Sequence, residues 1–182
     1  MQDTKIKLDS EIGALNAVMV HRPGLEIENM TPASAGDVLY DDILNRQLAV
    51  REHDQLTGVL QRVAEVHEFE DLLKDTLADR TMKGLLVDEL VALYNCEELA
   101  DSLKEKGDSE LAAQLFQGTP MRKDSLEKFL SPSLHAIPPL PNAFFTRDAV
   151  MAVNEHVIVG SMAHKARYAE ALLLKAIFKY HP

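Results

Sequence analysis

An α/β fold is predicted by three features of the 182-residue sequence. A period-2 apolar run from Leu15 to Val20 is followed by a helix-spaced run from about Ile43 to Ala64 and a short β-rich run, Val66-His67-Glu68-Phe69. From Asp71 to about Leu130 the apolar spacing is helical, with no convincing strand. Two further β-rich runs, Val150 to Val153 and Val157 to Val159, then precede a helix with an apolar face. Strands alternate with helices at both ends and helices fill the middle, so units are expected at 1–70, 71–130 and 131–182.

Apolar residues make up 46% and charged residues 26%, so a packed core is expected rather than disorder. The net charge of -10 argues against a nucleic-acid backbone or an anionic membrane as partner and suits a cationic ligand. There is no run of about 18 apolar residues and no signal-peptide core, so a cytoplasmic protein is expected. The single cysteine, Cys96, cannot close an internal disulfide, which agrees with a reducing compartment. It lies beside Glu97 and Glu98, whereas a nucleophilic thiolate needs a positive neighbour or a base; it is expected to be inert.

In the first unit, Leu15, Ala17 and Met19 alternate with Asn16, Val18 and Val20, as in a central strand covered on both faces. His21-Arg22-Pro23-Gly24 stops it with a turn, His21-Arg22 being a structural basic pair. Asn29 to Asp42 reads as a loop, and Asp41-Asp42 suits a helix start, where the dipole favours negative charge. The helix that follows is expected to bury Leu44, Leu48, Leu56, Val59, Leu60 and Val63 and to turn Arg51-Glu52-His53-Asp54 toward water.

In the middle unit, Leu85, Leu86, Leu90 and Leu93 mark one helix, Leu99 and Leu103 another, and Leu111, Leu115 and Phe116 a third. Gly107-Asp108 reads as a helix stop followed by an N-cap, and Asp124 with Glu127 as a capping box.

In the last unit, Pro132, Pro138, Pro139 and Pro141 fix their own φ and extend the residues before them. Phe144, Phe145 and Thr146 then read as a short buried strand ending at Arg147 and Asp148, charged groups that need partners or a ligand so close to a core. Asn142 adds an amide with both donors and an acceptor. The two β-rich runs form a hairpin around a three-residue loop, Asn154-Glu155-His156. Ala169, Leu172, Leu173, Ala176, Ile177 and Tyr180 give the final helix a face that should cover a sheet. The abrupt end at Lys179-Tyr180-His181-Pro182 leads to the expectation that the natural chain continues. With no Gly-rich phosphate loop, no Gly-Xaa-Ser-Xaa-Gly elbow and no His-Glu-Xaa-Xaa-His pattern, neither a metal nor a nucleotide cofactor is expected.

Pro141-Asn142-Ala143-Phe144-Phe145-Thr146-Arg147-Asp148 resembles the Pro-Asn-Xaa-Xaa-Phe-Thr-Arg-Asp signature of the arginine deiminases, in the guanidine-modifying (amidinotransferase) superfamily. Ser10-Glu11-Ile12-Gly13 with His21-Arg22-Pro23-Gly24, then Tyr40-Asp41-Asp42-Ile43 and Glu52-His53-Asp54, are similar to further elements of that family. The helical block is similar to the insertion that separates arginine deiminases from the smaller dimethylarginine-hydrolysing relatives. The resemblance implies an α/β propeller, or pentein, of strand-and-helix modules around a channel; about two modules lie in this chain, the second truncated.

The resemblance also implies roles for single residues. Asp148 pairs with the substrate guanidinium as a catalytic and binding group, Asn142 helps to hold the amino-acid end, Arg167 pairs with the substrate carboxylate, and Phe145 lines the pocket. Such a division suits free L-arginine, whose guanidinium is planar, permanently positive and matched to a carboxylate. Arg147 is left as a structural ion-pair partner, and Ala149 stands where the family usually has proline. The implied reaction hydrolyses L-arginine to L-citrulline and ammonia through a covalent thiouronium on a cysteine, with a histidine moving protons. In the family those residues lie in a carboxyl-terminal half absent here, so this chain alone is expected to be inactive. The alternatives are another guanidino-group hydrolase or amidinotransferase, or a non-catalytic short protein that binds arginine or caps a partner enzyme. Exposed strand edges are where a second copy, in a homo-oligomer, or the missing half is expected to pack.

Overall fold

A computed structural model describes residues 6–28, 38–131 and 133–182. The Asn29-to-Asp37 part of the expected loop, Pro132 and the Glu127 arm of the expected capping box lie outside the described residues and side chains. The fold is mixed α/β, with helices outweighing three two-stranded sheets.

The amino-terminal unit is a parallel crossover. Strands β1 (Ala17–Val20) and β2 (Glu65–Glu68) pair in parallel, Ala17 facing Glu65 and Val20 facing Glu68, and helix α2 (Arg46–Leu60) joins them. A short helix, α1 (Leu25–Glu28), follows the β1 turn. Asn45 caps α2 by accepting a hydrogen bond from Leu48 N at 3.0 Å, so the helix begins at Arg46 and leaves Ile43 and Leu44 ahead of it.

Two expectations for this unit fail for one reason, the lack of cover among the described residues. β1 has a single partner strand and buries only Val20 fully, so it is not a central strand enclosed on both faces. Helix α2 buries no residue: Leu44, Leu48, Leu56, Val59 and Val63 are 37%, 55%, 54%, 61% and 65% exposed. Its half-buried side is the shorter and more polar set Ala49, Val50, His53, Thr57 and Leu60.

Phe69 does not extend β2; it begins α3 (Phe69–Leu77) and is fully buried. Asp79 caps α4 (Arg80–Tyr94) by accepting from Thr81 N at 2.8 Å and Met82 N at 3.2 Å, and Asn95 ends it in the left-handed region at φ 54°. Helices α5 (Ala100–Lys104) and α6 (Asp108–Gln117) follow. Gly107, with extended backbone, is the N-cap residue of α6, and Asp108 is its first helical residue rather than its cap.

Gly118 at φ 85° cannot be replaced cheaply, because a Cβ there would sit 2.7 Å from Pro139 N. It leads into a strand the sequence did not announce, β3 (Thr119–Pro120), paired antiparallel with β4 (His135–Ile137). At α7 (Leu126–Leu130) the Ser125 hydroxyl accepts from Lys128 N at 3.3 Å, the capping role assigned to Asp124, which instead pairs with Lys128.

The Phe144–Thr146 segment is not a strand. Ala143 N donates to Leu140 O, Phe145 N to Asn142 O and Asp148 N to Phe145 O, so the chain turns after Pro141 and forms α8 (Thr146–Ala149). Strands β5 (Val150–Val153) and β6 (His156–Val159) make the expected hairpin with a shorter turn: Val153 faces His156, leaving two residues, and Asn154 takes φ 52°. Helix α9 (Tyr168–Tyr180) buries Ala169, Leu173, Leu174, Ala176 and Ile177. Its face packs mainly on α3 and α4 rather than on a sheet. Phe69, Leu73, Leu90, Leu111, Leu115, Phe116 and Leu173 thus share one core, which Ala143, Ala149 and Val150 also enter.

Candidate functional site

Arg167 and Asp148, nineteen residues apart, meet between α8 and the start of α9. Arg167 occupies the position before the first turn of α9, where its N–H donates to His164 O at 2.9 Å, and its side chain is buried. Its Nη1 donates to Asp148 Oδ2 at 2.8 Å, while Nε and Nη2 donate to Glu170 Oε2 at 3.0 and 2.8 Å. Glu170 is fully enclosed and the Asp148 side chain is half exposed. Burial pushes the Glu170 carboxyl above the ordinary carboxylate range, although the Arg167 hydrogen bonds and charge pull it back. Burial acts downward on Arg167, but the two carboxylates outweigh it and fix the positive charge.

Asn142 is buried, and its Nδ2 donates to Val38 O at 2.8 Å. Two residues on, the Tyr40 hydroxyl donates to Pro141 O at 2.9 Å, so both bonds tie the 38–40 segment to the turn before α8. The Tyr40 phenol is pushed up to about 12 by burial, with the Glu170 charge adding to the effect. Phe145 is 46% exposed, its ring tilted against Phe144 at 4.1 Å. The structure therefore brings Asp148 and Arg167 into contact, leaves Phe145 at the surface near them in the chain, and commits the Asn142 amide to backbone. Arg147 turns away to an exposed ion pair with Glu11 at 2.9 Å.

Two residues of the site had no site role assigned from sequence patterns. Glu170 sits in an otherwise apolar stretch of α9, and only the three-residue spacing to Arg167 on a helix start hinted at the contact. The other is His21, whose Nε2 lies 3.3 Å from Glu26 Oε1 and whose Nδ1 lies 3.4 Å from Glu68 Oε1, with its ring stacked on Phe116 at 4.3 Å. The parallel register that sets Val20 against Glu68 brings the next residue, His21, beside that carboxylate. Arg22 next to it is held by Asp54 of α2 at 2.7 and 3.0 Å.

A carboxylate that holds a guanidinium is a recognition element, and a nucleophile is a separate requirement. Cys96 does not meet it, since it belongs to the core and its thiol is pushed up to about 11 by burial, with Glu98 and Glu97 adding to the shift. Among the described residues no group of His, Cys, Asp or Glu is placed to hold a metal ion, and no helix is long and apolar enough to cross a membrane.

A family model described as arginine deiminase matches residues 36–182. The chain belongs to the arginine deiminase family. The matched span runs from before α2 to the end of α9 and includes Asn142, Phe145, Asp148, Arg167 and Glu170. Among similar proteins, the arginine deiminase of Limosilactobacillus reuteri (strain DSM 20016) is 35% identical over 192 residues, covering 97% of this chain and 46% of the relative. That of Borrelia duttonii (strain Ly) is 32% identical over 194 residues, 97% of this chain and 47% of the relative. That of Staphylococcus haemolyticus (strain JCSC1435) is 30% identical over 197 residues, covering 100% of this chain and 47% of the relative. The chain thus spans about half the length of these arginine deiminases.

Proposed function

We propose that this chain is the amino-terminal, substrate-recognising part of an arginine deiminase, which hydrolyses L-arginine to L-citrulline and ammonia in the cytoplasm. The reading rests above all on the Asp148–Arg167 contact, in which a half-exposed carboxylate already binds a guanidinium at 2.8 Å. In the proposed cycle Asp148 takes the guanidinium of free arginine, Arg167 takes its α-carboxylate, and Asn142 and Phe145 border the amino-acid and side-chain ends. The cysteine that forms the covalent intermediate and the histidine that moves its protons come from outside these residues, because Cys96 is enclosed and protonated. The two strand-and-helix units are then modules of a propeller, with the helices from α3 to α7 as its insertion.

Two measurements on this chain test the proposal. L-Arginine titrated into isotope-labelled protein should perturb the Asp148 and Arg167 side-chain resonances, and Asp148→Asn should weaken that response by about tenfold or more, the worth of a charged hydrogen bond. No perturbation at saturating arginine would refute the recognition role. A citrulline assay of the same 182-residue chain should give no product, and thiol-dependent turnover lost in Cys96→Ser would refute the assignment of chemistry elsewhere.

A further inference from the structure

Arg167 is held from two sides, and the sides are unequal. A guanidinium presents its N–H groups in a rigid fork, and here the fork is divided. The Nε and Nη2 edge goes to Glu170, with Oε2 at 3.0 and 2.8 Å and Oε1 at 3.2 Å from Nε. Only Nη1 goes to Asp148. Glu170 is 1% exposed and flanked in α9 by buried Ala169 and by Leu173 one turn on, so its carboxylate has no water to turn to. Asp148 lies on the short helix α8 with half of its side chain in water.

Removing the enclosed carboxylate would leave a buried charge unpaired, whereas water readily replaces the exposed one. Exchange at this site is therefore one-sided. The charge count points the same way. Arg167 with Asp148 alone is neutral, and a guanidinium arriving at Asp148 would leave one net positive charge at contact distance. With Glu170 present the trio carries one net negative charge, which an incoming cation neutralises.

We propose that Glu170 is a positioning residue for ligand binding: it clamps the Nε–Nη2 edge of Arg167, so that the opposite, Nη1 end passes between Asp148 and an anionic group of the ligand. The ligand half of this statement rests on the arginine reading above; the clamp itself does not. Arg167 then keeps its place when Asp148 turns to a guanidinium, and a ligand carboxylate meets it from the Nη1 side only.

The test is NMR of the Arg167 Nε–Hε group in the ligand-free chain. In the parent protein that proton should exchange slowly with solvent; Asp148→Asn should leave it so, and Glu170→Gln should speed exchange by about tenfold or more. If Asp148→Asn frees the Nε proton, the clamp is refuted whether or not Glu170→Gln folds. If Glu170→Gln folds and leaves the proton protected, it is refuted as well. L-Arginine is then added to the parent chain. A ligand response with the Nε proton still protected supports the proposal, and a response in which that protection is lost overturns it. A protected Nε proton with no arginine response upholds the clamp and removes the arginine reading alone.

Discussion

Raising the pH through the weakly alkaline range should destabilise this protein by an amount traceable to His21. Burial alone would lower the pKa of this imidazole, but Glu26 and Glu68, by hydrogen bonding and charge, more than reverse that and raise it from 6.5 to about 9. Because the folded value lies above the unfolded one, the native state keeps a proton that the unfolded chain has released. The stabilisation is complete below 6.5 and is lost as the pH rises through about 9. The shift corresponds to about 3 kcal/mol, lost at roughly 1.4 kcal/mol per pH unit across that window. Of the neighbouring titrations, burial lowers His53 and His135, and burial pushes Cys96 up to about 11 and Tyr40 and Tyr94 up to about 12.

The assay is urea unfolding at a series of pH values, paired with an NMR titration of the His21 ring. His21→Phe should keep the stacking on Phe116 and leave the buried Glu26 carboxylate without its charged partner, only the Gly24 N–H remaining to it. That variant should therefore be less stable at low pH and should lack the parent's decline. A His21 resonance titrating at or below 6.5, or a stability flat between 6.5 and 9, would refute the argument.

Two other outcomes follow from burial. In the native chain Cys96 should react with a thiol reagent near neutral pH about a hundredfold more slowly than in urea, since its thiol is both enclosed and protonated; equal rates would contradict the core position. Leu173→Ala, at the α9 contact with α3 and α4, should cost about 2–5 kcal/mol, whereas Leu56→Lys on the exposed side of α2 should change stability by about 0.5 kcal/mol or less. Comparable losses in urea unfolding would overturn the division between the two faces.

The parts of the fold legible in the sequence were those set by local spacing. Leu86, Leu90, Leu111 and Leu115 recur at helical intervals and are buried, and the strand, helix, strand order at the amino terminus did become a parallel pair. Phe144, Phe145 and Thr146 misled because their β preference competes with Pro141 and Asn142, which set consecutive turns bonded through Leu140 and Asn142. The stripe on α2 has the right period, but periodicity says that a face favours cover and not where the cover lies. At the site, Asp148 and Arg167 were singled out by the family resemblance, which assigns them to opposite ends of a ligand; their contact with each other, Glu170 and the His21–Glu26–Glu68 cluster are tertiary contacts with no motif.

The uncovered stripe on α2 also means that cohesion is uneven across the molecule. The shared core holds α3, α4, α6 and α9, while α2 contributes no buried side chain and the β1–β2 pair is four residues long. Backbone amides in α2 should therefore open in small local excursions, well short of global unfolding, and proteases should nick there first. Any surface that settles onto Leu48, Leu56 and Val59 would stiffen this corner as it binds, and its affinity would be lowered by the ordering it has to impose.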